Sequence, residues 1–505
     1  MRHCVLLLVI FFCINSCGIL APQIPKPKRE FRGVWVATVV NIDWPKNGLD
    51  KTEKQKKDFL EILNFYKKLN YNAVIVQVRA AGDAFYKSEF APWSRFLTGE
   101  EGKPSTWEED NLKWMIEETH NRGMEFHAWL NPYRATFDMN TDILSNTHDY
   151  CTNPEWMIPY GKKYYYNPGL PEVRERFSKV INEIVTQYDL DAIHFDDYFY
   201  PYKIKDLEFQ DTTAYQTYAQ PNQSLDDWRR SNIDSLVKNV HQTIKANKPW
   251  VQFGISPFGV WKNNSTDPKG SDTQAGQTTY EDLYADPILW MQEGWIDYLA
   301  PQVYWSMDLS VASHRKIVDW WAKNNNETNL YIGNGAYKIR NNSDKAWENK
   351  KELPNQLKLA RNTTEISGNI LFSAKSLMNS NADVVDYMKR KYYKLPALTP
   401  KFENISELSE QRIELISRDL GPQELQLTFQ GIKNMSYALL YSSGKKAQLA
   451  YPMKKLLRKI NIKGSSGQLK LPKDIGSNKN IAITFLDRYG KESNPILIQL
   501  NQKQY

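Results

Sequence analysis

The sequence predicts an α/β fold, a (β/α)8 barrel of the TIM type, followed by a small C-terminal β-sandwich. Eight short apolar runs alternate with helical stretches between Phe31 and Leu377, the strand count and span of one closed parallel barrel. An open doubly wound sheet would use the same alternation, but no Gly-rich phosphate loop follows the first run. Beyond Pro396 the helical spacing stops, and short strands follow at the close intervals of a sandwich. At 505 residues the chain exceeds one ordinary core, and 41% hydrophobic with 24% charged residues excludes a disordered chain.

Residues 1–17 read as an export signal. Met1-Arg2-His3 is a basic start, and Val5 to Phe12 is an apolar run too short to span a bilayer. It leads into "INSC", which looks like a bacterial lipobox and makes Cys17 the lipidated first residue of the mature chain. An ordinary cleaved signal that contains cysteines is the plainer alternative. Residues 18–30, "GILAPQIPKPKRE", are the tether. Cys4 and Cys13 leave with the signal and Cys17 carries lipid, so only Cys151 remains. This excludes an internal disulfide and a Cys-based metal site. No later segment is long and apolar enough to cross a membrane. The expected location is the cell envelope, lipid-anchored at the outer membrane of a Gram-negative bacterium.

The barrel domain is placed at 31–393, with strands at 31–40, 72–80, 124–132, 191–197, 251–257, 296–305, 330–337 and 369–375. The helices between them include 54–69 and 173–188; in the second, Phe177, Val180, Ile181, Ile184 and Val185 keep helical spacing. Residues 394–505 are linker and sandwich, fibronectin type III-like, with strands in "LQLTFQGI", "YALLYSS", "QLKLP", "IAITFLD" and "PILIQL". The net charge of +7 gathers there, with thirteen Lys or Arg against three acids from Lys445 to Tyr505. Such a face could meet an anionic polymer or a membrane, and solvated lysines on a small β domain are the blander reading. A nucleic-acid partner is not expected.

Barrel strands bury both faces, and their side chains alternate between helices and lumen. Val74, Val76 and Val78 belong against the helices, which sends Gln77 and Arg79 inward. The same rule turns His127, Trp129 and Asn131 inward, then Ala192, His194 and Asp196. It does so again for Gln252, Gly254 and Ser256, for Ala300, Gln302 and Tyr304, and for Ser373. The polar members gather at C-terminal strand ends, where barrel enzymes place their active sites. The loops add "NIDWP", "AGDAFYKSEFAPWS" and "PYR" to that rim. Trp44, Trp93, Tyr133, Tyr198, Tyr304 and Trp305 are aromatics suited to stacking on sugar rings, though core packing also claims such residues. Arg79 and Asp83 form either a buried ion pair or a grip on a substrate group. Tyr86 and Arg134 complete the candidate substrate-binding set.

These motifs together resemble the family 10-like glycosyl hydrolases, a bacterial barrel family. The resemblance runs from "FRGVWVATVVNIDWP" through "VQVRAAGDAFYKSEFAPWSRFLTG", "FHAWLNPYR", "NPGLPEVRE", "HFDDYFYP", "FGISPFGVW" and "GWIDYLAPQVYW" to "LYIGNGAYK". It implies a glycoside hydrolase, often a lipoprotein, acting on peptidoglycan glycan strands. The fourth strand also looks distantly like the chitinase signature Asp-x-x-Asp-x-Asp-x-Glu. Asp191 and Asp196 fit it, but His194 and Tyr198 replace its second and fourth acids.

Glycoside hydrolysis ordinarily needs two carboxyl groups about 5 Å apart for retention, or roughly 6.5–9.5 Å for inversion. Adjacent strand residues face opposite ways, so on a regular strand Asp196 and Asp197 are not that pair. Asp196 is the expected nucleophile or base with His194 beneath it, while Asp197 turns in only if the strand bends. Asp43 and Asp83 are then the available acids. Catalysis by a substrate N-acetyl group would remove the need for a second carboxylate. No cofactor and no metal is expected. The rival readings are a metal-dependent deacetylase using His127, His194 and Asp196, and a non-catalytic glycan-binding lipoprotein.

Overall fold

The computed structural model describes residues 27–378 and 380–402, then 414–421, 424–430, 435–442, 455–462, 466–470 and 480–499. The signal, Cys17 and most of the tether lie outside the described residues. Strands β1 (Phe31–Val36), β2 (Ala73–Arg79) and β3 (Glu125–Leu130) come first. A hairpin follows, β4 (Met157–Tyr160) with β5 (Lys163–Tyr166), and then β6 (Ala192–Phe195). The series closes with β7 (Gln252–Ile255), β8 (Tyr298–Leu299), β9 (Asn329–Asn334) and β10 (Ile366–Leu371). All but the hairpin pair in parallel around a closed eight-stranded barrel, with β10 returning beside β1.

Alternation divides the barrel core as a closed sheet requires. Val74, Val76 and Val78 meet Phe59, Ile62 and Leu63 from the helix Thr52–Lys68. The helix Pro171–Gln187 buries Phe177, Val180, Ile181, Ile184 and Val185 on the outside of β6. A second, smaller cluster fills the lumen with Phe31, Trp35, Ile75, Trp129, Tyr298 and Tyr331. Gly254 makes room for it, since a Cβ there would overlap the Tyr298 ring.

Several strands are shorter than their apolar runs. Thus β1 stops at Val36 because the Asp43 carboxylate takes the Ala37 N–H, and Val40 and Asn41 then turn with φ of 52° and 53°. In the run 296–305 only Tyr298–Leu299 is regular strand; Pro301 has no N–H to donate, and pairing resumes as isolated bridges from Gln302 to Phe258 and to Gly333. The β4–β5 hairpin, inside what reads as a plain connection, was not expected.

Behind the barrel lie β11 (Glu414–Gly421), β12 (Glu424–Gln430), β13 (Met435–Ser442), β14 (Lys455–Asn461), β15 (Ser466–Lys470), β16 (Asn480–Asp487) and β17 (Ile496–Gln499). They form two antiparallel sheets, β11-β12-β15 and β14-β13-β16-β17. The sequence hides β11 and β14, "ELISRDLG" and "KLLRKIN", because both are edge strands, where charged residues guard against stray pairing.

At the N-terminal end of the barrel, buried Glu30 is clasped by Arg32 Nε at 2.6 Å and by Arg361 NH2 at 2.5 Å. Arg32 also donates to Leu395 O at 2.7 Å, which ties the first strand to the chain leaving the barrel. Removing the central charge would strand two buried guanidinium groups. Glu30→Gln is therefore expected to destabilise the chain by about 3 kcal/mol. Urea denaturation should show it as a lower midpoint with an unchanged slope.

Candidate functional site

The lumen holds a column of polar groups whose hydrogens are fixed by one donor. The Trp35 indole N–H can only donate, and it lies 3.1 Å from His194 Nε2, which must therefore be bare. His194 Nδ1–H then donates to the Tyr298 hydroxyl at 2.9 Å, and that hydroxyl donates to His127 Nδ1, also at 2.9 Å. His127 Nε2–H is left to donate to Glu125 Oε2 at 3.2 Å, near the barrel floor. Burial, with His127 beside it, holds His194 well below the usual imidazole range.

Above this column stand Asp196 and Asp197. Regular strand ends at Phe195, so the alternation that would separate them no longer applies. Asp196 Oδ2 accepts from Asn131 Nδ2 at 2.6 Å, and Asn131 Oδ1 accepts from Gln77 Nε2 at 2.7 Å. Its other oxygen accepts the Tyr198 N–H at 3.2 Å. The Tyr202 hydroxyl donates a short hydrogen bond to Asp197 Oδ2, and Gln302 lies on the same carboxylate. Both acids are buried, at 5% and 2% exposure. Burial and then repulsion from Asp197 push Asp196 up to about 7, with Arg134 and Asn131 opposing. Burial also raises Asp197, against the hydroxyl of Tyr202 and the amide of Gln302. Near neutrality Asp196 is thus poised between its protonated and ionised forms, with a second raised carboxyl beside it.

Aromatic rings surround the pair. Tyr198 stacks on Tyr202 with centroids 5.3 Å apart, and Arg134 lies 4.5 Å over the Tyr198 ring. On the other side Tyr304 stacks on Phe372 at 5.9 Å, and Tyr337 meets that ring edge-on. Trp305 packs edge-on to Phe258 beyond them. Tyr202 and Tyr337 are exposed, so the rim presents ring faces to whatever enters.

A model of the family described as glycosyl hydrolase-like 10 matches residues 30–349. The chain belongs to the glycosyl hydrolase-like 10 family. It is 45% identical to glycosyl hydrolase YngK of Bacillus subtilis (strain 168), over 83% of this chain and 84% of that one. It is 35% identical to glycosyl hydrolase DigH of Escherichia coli (strain K12), over 72% of this chain and 88% of that one. Among solved structures, the glycoside hydrolase domain of PgaB (BpsB) from Bordetella bronchiseptica aligns with a TM-score of 0.48 at 12% identity. That alignment covers 72% of this chain and 98% of the other.

In this member of the family the mouth brings together Asp196, Asp197, Asn131, Arg134, Gln302, Tyr304 and Trp305 from the expected set. Others lie elsewhere. Arg79 is not luminal: a bulge between Gln77 and Arg79 on β2 turns it outward, 5.3 Å from the Phe177 ring. It donates to Asn131 O and makes no ion pair with Asp83. Asp83 is sealed under the second loop, where burial raises it, and Glu101 beside it is pushed up to about 8 by burial and by Asp83. Asp43 is a staple: Oδ2 takes the Ala37 N–H, while Oδ1 takes the Ser373 hydroxyl and the Lys375 N–H. Trp44, Tyr86 and Tyr133 are fully buried in the outer core, and Trp44 donates to Gln55 O. None of the three offers a ring to the mouth.

The metal reading loses its ligand set, because both histidine Nδ1 atoms rest on Tyr298 and neither converges with Asp196. Among the described residues no group of three His, Cys, Asp or Glu is placed to hold a metal ion. Sequence reasoning missed Tyr202 and Tyr298. The second had a legible signal, since the alternation that turns Ala300 and Gln302 inward also turns Tyr298 inward.

The raised value of Asp196 can be tested without a substrate. A carboxyl whose folded pKa exceeds its ordinary value costs the fold nothing near pH 4 and progressively more as pH rises towards 7. Asp196→Asn should match the parent near pH 4 and exceed it by roughly 1.4 kcal/mol for each unit crossed, levelling off above 7. Urea midpoints across that range measure the gap.

Proposed function

We propose that this chain is a glycoside hydrolase of the cell envelope that cleaves a bacterial polysaccharide containing N-acetylhexosamine, with peptidoglycan glycan as its substrate. The observation that supports this reading best is the buried pair Asp196 and Asp197 at an aromatic barrel mouth, with Asp196 pushed up to about 7. The strand ends at Phe195, and both carboxyls are held at the mouth, Asp196 by Asn131 and Asp197 by Tyr202 and Gln302, so they approach a sugar as one group. Two carboxyls that straddle a ring, as a conventional pair must, would come from different strands.

A one-sided pair fits a substrate that brings its own nucleophile. In this mechanism the carbonyl oxygen of a 2-acetamido group attacks C1 of its own sugar. Protonated Asp196 gives its proton to the departing glycosidic oxygen as the C1–O bond breaks. Ionised Asp197 accepts the amide N–H and steadies the positive charge that develops on the acetamido group. Asp196, now ionised, takes a proton from the water that opens the cyclic intermediate. His194 takes no part in these transfers, because its bare nitrogen is held by Trp35 and its proton by Tyr298.

The location rests on Cys17 as a lipid attachment point. Arg29 and Glu30 pair with the chain at Leu398, at the N-terminal end of the barrel, so the tether joins opposite the mouth. The ten residue steps from Cys17 to Pro27 reach at most about 35 Å. A chain anchored this way would hold its mouth away from the membrane.

With peptide-free peptidoglycan strands as substrate, Asp196→Asn and Asp197→Asn should each lower kcat by at least about a thousandfold. Strands stripped of N-acetyl groups should resist the parent enzyme, and product masses read both results. Trapping a sugar covalently on either aspartate would overturn the mechanism. Glycan binding without any cleavage would overturn the hydrolase reading.

A further inference from the structure

Two cationic side chains close to one another, Arg134 and Lys163, keep donors that no hydrogen-bond partner takes up among the described residues. Arg134 is buried at 5% exposure; one terminal nitrogen donates to Ala80 O at 3.2 Å, and its Nε has no partner. Its backbone bridges that of Tyr165 in antiparallel fashion, which sets the two residues side by side. Lys163 stands two positions before Tyr165 on β5, so alternation puts it on the same face as Tyr165 and Arg134. That face looks towards Tyr198 and the mouth, whereas Tyr164 and Tyr166 point the other way, to Tyr150 and Asp149. Lys163 is half-buried, and among the described residues its amine has no hydrogen-bond or ion-pair partner.

The charges do not balance within the protein. With Asp196 protonated and Asp197 ionised the pair carries one negative charge, and Arg134 acts on both acids. Lys163 is then surplus, half out of water, with Arg134 as the charge that acts on it. Burial and that guanidinium lower its amine from the usual lysine range. Partly buried cations are ordinarily paired. Here the charge nearest in effect to Lys163 is another cation, Arg134.

We propose that Arg134 and Lys163 form a subsite for a carboxylate carried by the glycan, and that they determine specificity for an acidic over a neutral N-acetylated sugar. The inference rests on the glycan-hydrolase reading. Arg134 supplies a planar donor edge and Lys163 the compensating charge, so the sugar acid enters beside the aspartates without net repulsion. Two sugar acids present this chemistry, a lactyl ether on a hexosamine and a uronic acid next to one.

The test compares three soluble substrates: an oligosaccharide of alternating N-acetylglucosamine and N-acetylmuramic acid, the same molecule with its carboxyls converted to carboxamides, and a hyaluronan oligosaccharide. Lys163→Met should lower kcat/KM on the preferred acid about tenfold, mostly through KM, and leave the carboxamide unchanged. Lys163→Arg should restore the loss. The parent's KM for the acid should also rise with salt, and that for the carboxamide should not. Whichever acid shows the Lys163 dependence is the source of the carboxylate. Equal losses on acid and carboxamide, or no loss on either acid, would overturn the subsite. If the parent cleaves none of the three, the hydrolase reading fails instead. Calorimetric affinities of the parent and Lys163→Met for the same molecules then decide the subsite alone.

Discussion

The Trp35 indole proton on His194 is the constraint from which the interior of the barrel follows. A closed lumen has no water to correct a misplaced donor, so each polar group must find its partner among its neighbours. One atom that can only donate fixes the next group as an acceptor, and the sequence of roles then runs from His194 through Tyr298 to His127 and Glu125. Glu125 carries it on to the Thr399 hydroxyl at 2.5 Å, where the chain leaves the barrel. Two histidines that look like catalytic or metal-binding candidates are thus committed to holding the lumen together. With His194 unable to take up a proton, the proton near Asp196 belongs to the aspartate pair alone.

The fold was legible because a barrel imposes two repeating demands, apolar outer faces and helices of matching length, and both leave periodic traces. The outer face of β2 and the helix Pro171–Gln187 could be assigned residue by residue. Interruptions of the period were not legible. The bulge that turns Arg79 outward adds nothing to the apolar pattern, since Val78 remains buried against the helices either way. The end of β6 at Phe195 is likewise a hydrogen-bonding event, and it reverses the reading of "HFDDYFYP" from one aspartate facing the lumen to two facing the mouth. Apolarity identified the strands, but only pairing shows where they stop.

The same limit separates structural carboxylates from chemical ones. Asp43, Asp83, Asp191 and Asp196 all flank apolar strands and look alike in sequence. Asp191 receives His120 at 2.7 Å and the Phe126 N–H at 2.8 Å, so the first acid of the chitinase-like pattern braces the floor below the site. Asp43 accepts two backbone N–H groups across the seam between β1 and the end of β10. Backbone donors of this kind favour the ionised form and fix the carboxylate in the wall, although burial still raises Asp43. Asp196 and Asp197 differ because side chains provide most of their donors, and because each raises the cost of ionising the other.

That mutual cost explains why two acids are placed side by side at all. A single buried carboxyl could be kept protonated by burial, but it would then lack a charged neighbour to answer positive charge on the sugar. Two coupled carboxyls divide the work, since the first ionisation makes the second expensive, and the pair holds a proton and a negative charge together over a broad range of pH. Arg134 sets the balance by drawing both acids towards ionisation, and Asn131 and Gln302 hold them in place without adding charge. A guanidinium is suited to this because it stays charged while its flat face rests on Tyr198. The aromatic rim and the acid pair are therefore one device: Tyr198 and Tyr202 carry the rings a sugar would stack on, and the same residues fix the cation and the hydroxyl that decide where the proton sits.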